Sequence, residues 1–256
     1  MILAVDIGNS NTVFGCIDDT GAILFRERAA TSLGATELEY ASILMTAFSL
    51  NSISKSSIKG AVISSVVPSV TSTVKAAISK ITGITAMVVG PGIKTGLSIL
   101  IDNPAQLGSD LVVGAVAGIN EYPLPMIIID LGTATTMAVI DKNKNYLGGI
   151  IMTGMAVSSD ALTSRTSQLP KIAFERPKKV IGTNTIDCMK SGIMYSTSCA
   201  IDGIIDKMEA ELGEKCTVIA TGGLSPLVIP LCKRDIILDE DLLLKGLMVI
   251  YNKNNH

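Results

Sequence analysis

Two short segments of the chain place an aspartate and a glycine directly after an apolar run. They are Asp6-Ile7-Gly8, followed by Asn9-Ser10-Asn11-Thr12, and Asp130-Leu131-Gly132, followed by Thr133-Ala134-Thr135-Thr136. Glycine lets the backbone turn tightly, so that successive N–H groups and the polar side chains can point at an anion such as phosphate. Because an acid beside such a loop would repel phosphate unless a cation lay between them, Asp6 is a candidate partner for Mg²⁺ on a nucleotide. A single copy would be more typical of a β-hairpin turn, whereas two copies favour phosphate binding.

A third acid, Asp110, follows Gly108-Ser109 at the start of a long apolar segment that has the pattern of a helix. Either Ser109 or Asp110 could simply be the N-cap of this helix, as is common for an isolated acid. Near a γ-phosphate, however, its carboxylate could accept the proton of an attacking hydroxyl, while positioning and charge stabilisation supply most of the rate enhancement. The one histidine of the chain is the terminal His256, so proton transfer would fall to a carboxylate, a lysine or a tyrosine.

Two further polar turns precede helical patterns. In Gly182-Thr183-Asn184-Thr185, either threonine could cap the following helix or donate a hydrogen bond to a substrate, and the sequence leaves both open. In Thr221-Gly222-Gly223, the glycines would let a flat ligand approach the backbone closely, although an ordinary strand-to-helix turn has the same composition.

The elements that must position these residues follow the same order in both halves of the chain. Alternating and apolar runs predict a strand meander around the first loop, at residues 2–30, and another around the second, at residues 126–152. Helical and strand patterns alternate after each meander. This repetition predicts an α/β fold with two duplicated lobes, which we place at residues 1–120 and 121–256, with a proline-rich boundary between them.

Composition limits the class of protein. Hydrophobic residues make up 48% of the chain and aromatic residues 4%, which predicts a large aliphatic core. A net charge of −2 does not favour nucleic acid as a partner. No stretch approaches the roughly 18 apolar residues of a membrane span, and Asp6 interrupts the first apolar run too early for a signal peptide. The five cysteines fall at no paired spacing, so we expect no zinc site, no disulfide framework and a cytoplasmic location.

Taken in order, the motifs resemble those of the type III pantothenate kinases, within the actin, Hsp70 and sugar-kinase superfamily. The resemblance runs through nearly the whole chain. It rests on Asp6-Ile7-Gly8-Asn9-Ser10-Asn11-Thr12, Asp102-Asn103-Pro104, Gly108-Ser109-Asp110, Asp130-Leu131-Gly132-Thr133-Ala134-Thr135-Thr136, Gly148-Gly149-Ile150, Ala161-Leu162, Leu169-Pro170, Gly182-Thr183-Asn184-Thr185, Thr221-Gly222-Gly223 and Leu244-Lys245-Gly246-Leu247. It implies two RNase H-like lobes with a nucleotide cleft between them. It also implies ATP-dependent phosphorylation of pantothenate to 4'-phosphopantothenate, the first step of coenzyme A biosynthesis.

The resemblance further implies the roles of individual residues. The residues implied to bind ATP, with Mg²⁺ near Asp6, are Asp6, Ile7, Gly8, Asn9, Ser10, Asn11, Thr12, Val13 and Thr133. Asp110 would be the catalytic base, and Asp130 would coordinate an activating K⁺ or NH₄⁺. The residues implied to contact pantothenate are Ile101, Gly108, Ser109, Asp110, Leu111 and Thr185. Members of the family are dimers, so a homodimer is implied, with the substrate pocket near the subunit interface.

The chain departs from the family pattern at two positions on the acceptor side. The family usually has Arg directly after the catalytic Asp and Tyr just before Asp-Asn-Pro, where this chain has Leu111 and Ile101. Leucine cannot replace the fork of N–H groups that arginine offers to a carboxylate. Lys94, Arg165 and Lys171 are cationic candidates that the sequence does not place in the pocket. Three interpretations stay open: a rebuilt pantothenate pocket, another small hydroxyl acceptor, or a nucleotide-binding regulatory paralogue.

Overall fold

The computed structural model describes residues 1–255, so His256 lies outside the described residues. The first part of the chain forms β1 (Ile2–Ile7), β2 (Asn11–Ile17), β3 (Ile23–Ala30), α1 (Glu37–Leu50), β4 (Gly60–Ser65), α2 (Pro68–Thr82), β5 (Met87–Val88), β6 (Ser98–Ile99) and α3 (Ser109–Glu121). The second part forms β7 (Met126–Leu131), β8 (Ala134–Ile140), β9 (Asn145–Thr153), α4 (Met155–Arg165), α5 (Thr185–Leu212), β10 (Thr217–Thr221), α6 (Ser225–Val228), β11 (Ile237–Leu238) and α7 (Leu242–Asn254). Among residues 1–255, none of the helices combines the length and apolar character that a bilayer crossing requires.

The chain builds two mixed sheets with the same strand plan. The first has the order β3-β2-β1-β4-β5, with β1 antiparallel to β2 and parallel to β4. The second has the order β11-β10-β7-β8-β9-β6, with β7 antiparallel to β8 and parallel to β10. Apart from the added edge strand β6, the second sheet repeats the first. The predicted α/β fold with duplicated strand meanders is therefore confirmed.

The registers of the two sheets are equivalent as well. On β1, Asp6 lies beside Ser64 of β4, while on β7, Asp130 lies beside Thr221 of β10. Residues paired in neighbouring strands point to the same face of a sheet. Each aspartate therefore stands at the carboxyl end of a central strand next to a hydroxyl side chain.

The core of the first unit lies between its sheet and the helices α1 and α2. Leu3, Val5 and Phe14 from the sheet pack there with Leu44 of α1 and Ile78 of α2, and all are essentially inaccessible to solvent. Helix α1 begins directly after Thr36, which forms a reciprocal capping box with Glu39. The second unit has a core of its own, built from residues such as Ile127, Met194 and Ile205.

The C-terminal helix α7 packs on the opposite face of the first sheet. Glycines make this close approach possible, since a β-carbon on Gly15 would overlap the side chain of Leu244 and one on Gly60 would overlap Tyr251. By its contacts, the first compact unit therefore comprises, among the described residues, 1–97, 102–120 and 241–255, and the second comprises residues 98–101 and 121–240. A boundary at residue 120 separates α7 from the unit in which it packs.

Candidate active site

The first Asp-x-Gly loop, residues 8–11, is a tight hairpin between β1 and β2. The backbone N–H of Gly8 donates to the carbonyl oxygen of Asn11 at 3.0 Å. At the tip, the side chains of Asn9, Ser10 and Asn11 are exposed, whereas Asp6 is half-buried at the strand end. A β-carbon on Gly8 would lie 3.2 Å from the carbonyl oxygen of Asn11, so this turn leaves little room for a side chain. The loop therefore presents polar groups to solvent on a constrained backbone.

Thr31, just after β3, braces this loop. Its hydroxyl donates to the carbonyl oxygen of Gly8 at 2.7 Å and lies 2.9 Å from the hydroxyl of Thr12, while its backbone N–H donates to the carbonyl of Ser10 at 3.0 Å. Thr12 is fully buried. The hydroxyl of Thr12 therefore faces Thr31 in the interior instead of the solvent at the loop tip. Thr31 was not among the site residues predicted from the sequence, where its only signal is a position opposite the loop in the predicted meander.

Asp110 lies in the first turn of α3, half-buried. Burial raises the pKa of its carboxyl group above the ordinary aspartate value, although backbone N–H groups of Leu111 and of Asp110 itself lower the pKa in part. The Leu111 N–H donates to Asp110 Oδ1 at 2.9 Å, which holds the carboxylate against the helix start. A β-carbon on Gly108 would overlap that same oxygen atom. Gly108 thus leaves the space in which the carboxylate sits.

Ser109 fastens the start of α3 to the end of β4. Its hydroxyl donates to the carbonyl oxygen of Ser65 at 2.9 Å, accepts the backbone N–H of Ser65 at 3.0 Å and lies 3.1 Å from the hydroxyl of Ser64. Because Ser64 is the β4 neighbour of Asp6, a continuous series of contacts leads from Asp6 to Asp110 within one unit. The structure thus brings two of the predicted acids to the same end of the first sheet. The Ser109 hydroxyl is already engaged in this contact.

In the second unit, Asp130 stands between two threonines at the ends of neighbouring strands. It is paired with Thr136 of β8 and with Thr221 of β10. The hydroxyl oxygen of Thr136 is buried, and within residues 1–255 it has no hydrogen-bond partner. A β-carbon on Gly222 would come within 2.5 Å of Asp130 Oδ1, and Gly222 has a left-handed φ of 95°, so both space and backbone require glycine here.

The predicted site residues fall into both compact units. Residues 6–13 and 108–111 belong to the first unit, where Ile7 is part of the core and Leu111 is half-buried. Ile101, Asp130, Thr133 and Thr185 belong to the second unit, and the side chains of Thr133 and Thr185 are exposed. Ile101 lies beside Gly148, because a β-carbon on Gly148 would be 3.9 Å from Cγ2 of Ile101.

Thr185 borders a groove of about 1050 Å³ in the second unit. Asn184 is the N-cap of α5, since its side chain accepts the backbone N–H of Asp187 at 2.9 Å. Neither Thr183 nor Thr185 is therefore needed as the cap, and both line the groove. Of the two interpretations that the sequence left open, the capping one is wrong.

Comparison with known proteins gives concordant results for sequence and fold. The model of the type III pantothenate kinase family matches residues 2–207. A protein named type III pantothenate kinase from Halalkalibacterium halodurans is 44% identical over 254 residues, which are 99% of this chain and 100% of that protein. Another of the same name, from Bacillus cytotoxicus, is 40% identical over 99% of this chain and 97% of its own length.

Among solved structures, the activator of the 2-hydroxyisocaproyl-CoA dehydratase from Clostridium difficile aligns with a TM-score of 0.54 at 12% identity. The alignment covers 98% of this chain and 93% of that one. At this identity the likeness shows the fold alone. The shared fold is α/β with two mixed sheets of the same strand plan, in agreement with the predicted fold class.

Proposed function

The chain belongs to the type III pantothenate kinase family, and we propose that the residues described above carry out its reaction. The enzyme phosphorylates a hydroxyl group of pantothenate at the expense of ATP, which yields 4'-phosphopantothenate for coenzyme A biosynthesis. Relatives of 40% and 44% identity over almost the full length support this function over a regulatory role without catalysis.

The observation that carries the proposed mechanism is the position of Asp110. Its carboxylate is half-buried at a fastened helix start, and burial raises its pKa. In our proposal it accepts the proton of the pantothenate hydroxyl as the hydroxyl oxygen attacks the γ-phosphorus of ATP, and the bond from that phosphorus to the bridging oxygen of ADP breaks. A base whose pKa lies closer to the working pH, yet still below it, accepts a proton more readily. Most of the rate enhancement then comes from positioning and charge stabilisation.

We assign the first loop to the phosphates of ATP. The exposed side chains of Asn9, Ser10 and Asn11 and the constrained backbone of residues 6–13 supply the hydrogen-bonding groups. The half-buried carboxylate of Asp6 at the strand end suits Mg²⁺, a hard cation that binds oxygen ligands and usually keeps several waters. When bound, Mg²⁺ neutralises the charge of the phosphate oxygens. Thr133, exposed on the second loop, is assigned a further contact with the nucleotide.

We assign Asp130 to a monovalent cation, K⁺ or NH₄⁺. The donor set fits such an ion because the buried hydroxyl oxygen of Thr136, in register with Asp130, lacks a hydrogen-bond partner among the described residues. A carboxylate, hydroxyls and carbonyl oxygens can replace the hydration shell of K⁺. When bound, such an ion would supply positive charge that offsets the negative charge of phosphate oxygens. Asp130 holds the ion, and Gly222 leaves the room for that carboxylate.

We assign pantothenate to Gly108, Ser109, Asp110, Leu111, Ile101 and Thr185. Ser109 takes part through its backbone, because its hydroxyl already bonds to Ser65. A homodimer is further proposed, supported by large apolar side chains on the surface of the second unit, of which Ile151 is 77% exposed and Ile181 is 81% exposed. We place the enzyme in the cytoplasm, where its substrate ATP is available.

The test is turnover by the purified protein with ATP and pantothenate, with and without K⁺. Formation of 4'-phosphopantothenate, its dependence on K⁺, and loss of turnover in Asp110→Asn with ATP binding retained are the expected results. Asn has nearly the shape of Asp but cannot take up the proton, so that variant separates chemistry from folding. Absence of the product under every cation condition would refute the proposed function.

A further inference from the structure

A groove of about 1050 Å³ runs between α4 and the first turns of α5, entirely within the second unit. Met189 and Ile193 of α5 are buried beneath it, while Leu162 of α4 and Leu169 form an apolar wall. The volume is at the upper end of the range of about 300–1,000 Å³ that small-molecule sites occupy. Hydroxyl groups of threonine and serine side chains supply polar positions around this apolar surface.

The walls of the groove are tied to the helices by specific hydrogen bonds. The hydroxyl of Thr163 on α4 donates to the carbonyl oxygen of Ser159 at 3.0 Å and to the carbonyl oxygen of Pro170 at 3.4 Å. On the other side, the buried hydroxyl of Ser191 on α5 donates to the carbonyl oxygen of Val180. These contacts hold both flanking loops, so the groove is a defined feature of the fold.

Arg165, the last residue of α4, is the one charged side chain among the described residues that lines the groove. It is exposed, and within residues 1–255 its guanidinium group has no hydrogen bond or ion pair. Two carboxylates of the segments that flank the groove have other partners: Asp187 accepts from Asn184 at 2.7 Å, and Glu175 pairs with Lys190 at 2.9 Å. The groove therefore carries a positive charge that is available to an anionic ligand.

The structure also separates Arg165 from the other cationic candidates of the sequence analysis. Lys94 belongs to the first unit, where its backbone N–H and carbonyl bond to the side chain of Asn254. Lys171 follows the flanking loop but does not line the groove. Of the three, Arg165 alone shares a cavity with Thr185, the residue that we assign to pantothenate.

We propose that Arg165 binds the carboxylate of pantothenate, so that the specificity of this enzyme for an acidic acceptor lies in the groove between α4 and α5. Pantothenate has one carboxylate, at the end of a flexible amide chain. A guanidinium group can form two parallel N–H···O bonds to such a carboxylate, which gives both strength and orientation. Leu111 offers no positive charge to a carboxylate, whereas Arg165 does. The inference rests on the proposed function and adds the residue that selects the acceptor.

The experiment compares two acceptors in steady-state assays of wild type and Arg165→Gln. The acceptors are pantothenate and its neutral analogue in which a primary amide replaces the carboxylate. The KM of the variant for pantothenate should rise about 10- to 100-fold, the range for losing a charge-assisted bidentate contact. Its kcat should change little, and its KM for the neutral amide should stay within about threefold, because the amide has no charge to lose.

Two variants serve as matched comparisons. Lys171→Gln removes one positive charge just outside the groove and should leave both KM values unchanged, which separates a specific contact from a general loss of charge. Arg165→Lys should recover only part of the affinity, because an ammonium group cannot form the fork.

A rise in the KM for pantothenate without a matching rise in the KM for the neutral amide supports the inference. An unchanged KM for pantothenate, or an equal rise for both acceptors, would overturn it, since the second pattern indicates a distorted groove. Turnover of the neutral amide also reports whether Arg165→Gln is folded, and if it is not, the same comparison is made with Arg165→Lys. If wild type phosphorylates neither acceptor, the proposed function itself fails and the inference falls with it. If wild type phosphorylates pantothenate and Arg165→Gln has the same KM for it, only the inference is refuted and the proposed function stands.

Discussion

Replacing Gly108 with alanine should displace the carboxylate of Asp110 without unfolding the chain. The added methyl group would overlap Asp110 Oδ1 and would lie 3.5 Å from Asp110 Cγ and 3.7 Å from Cγ1 of Val66. Gly108 lacks the left-handed φ that disfavours alanine, so the backbone can stay in place. The carboxylate must therefore rotate away, which breaks the 2.9 Å hydrogen bond from the N–H of Leu111.

The expected effect of this substitution is a lower kcat. A misplacement of about 1 Å at a reacting group lowers the rate by roughly 10²-fold, and complete loss of a general base costs about 10²- to 10⁴-fold. Gly108→Ala should therefore lower kcat about 10²-fold, and Asp110→Asn should lower it at least as much. The measurement is kcat from ADP release at saturating ATP and pantothenate, with the Kd for ATP from calorimetry and the melting temperature from a thermal scan.

Gly114→Ala in the same helix is the matched control. There a β-carbon would make only an ordinary contact, 3.5 Å from Cδ2 of Leu243, so kcat should be unchanged. Unaltered kcat in Gly108→Ala, alongside an inactive Asp110→Asn, would refute the argument that Gly108 positions the carboxylate. A large fall in melting temperature would instead indicate that the methyl group disturbs the fold.

Three other predictions concern pH, the first loop and stability. Because burial raises the pKa of Asp110, kcat/KM should fall on the acid side at a pH above about 3.9, the ordinary aspartate pKa. Activity should be lost as the pH falls through the raised pKa, since the protonated carboxyl group cannot accept a proton. Thr31→Val removes the hydroxyl that braces the first loop and should raise the KM for ATP about tenfold in initial-rate assays, whereas Thr31→Ser should not. Burial alone would raise the pKa of Glu209, but hydrogen bonds from Arg234 and Lys215 lower it to about 2. Its contribution to the free energy of unfolding is therefore complete above its ordinary pKa and is lost as the pH falls toward the lowered one. Glu209→Gln should lower the melting temperature by several degrees at neutral pH, and calorimetry should find a smaller difference in acid.

The sequence predicted the features that depend on local chemistry. Side-chain alternation and turn glycines are properties of short segments, so the two meanders and the strand-end positions of Asp6 and Asp130 could be read directly. The helix that carries Asp110 was likewise predicted from its apolar pattern. The duplication of the motif then indicated two similar lobes, and the equivalent sheet orders confirm that inference.

Contacts between distant segments could not be predicted in this way. Helix α7 follows the second sheet in the chain but packs on the first, because Gly15 and Gly60 leave space for Leu244 and Tyr251. Short strand β11, at residues 237–238, pairs in parallel with β10, a contact between segments that lie apart in the sequence. Such outcomes depend on which surfaces fit together, and a linear pattern does not contain that information.

By itself, the sequence identified the family, and it predicted two candidate phosphate loops and Asp110 as a candidate base. The tertiary structure decided how individual side chains are used. Thr12 turns inward to Thr31, the hydroxyl of Ser109 fastens a helix to a strand, and Arg165 shares a groove with Thr185. The physical reason is that residue type fixes whether a side chain can donate or accept a hydrogen bond or carry a charge. Only the packing of the folded chain fixes which partner that side chain contacts.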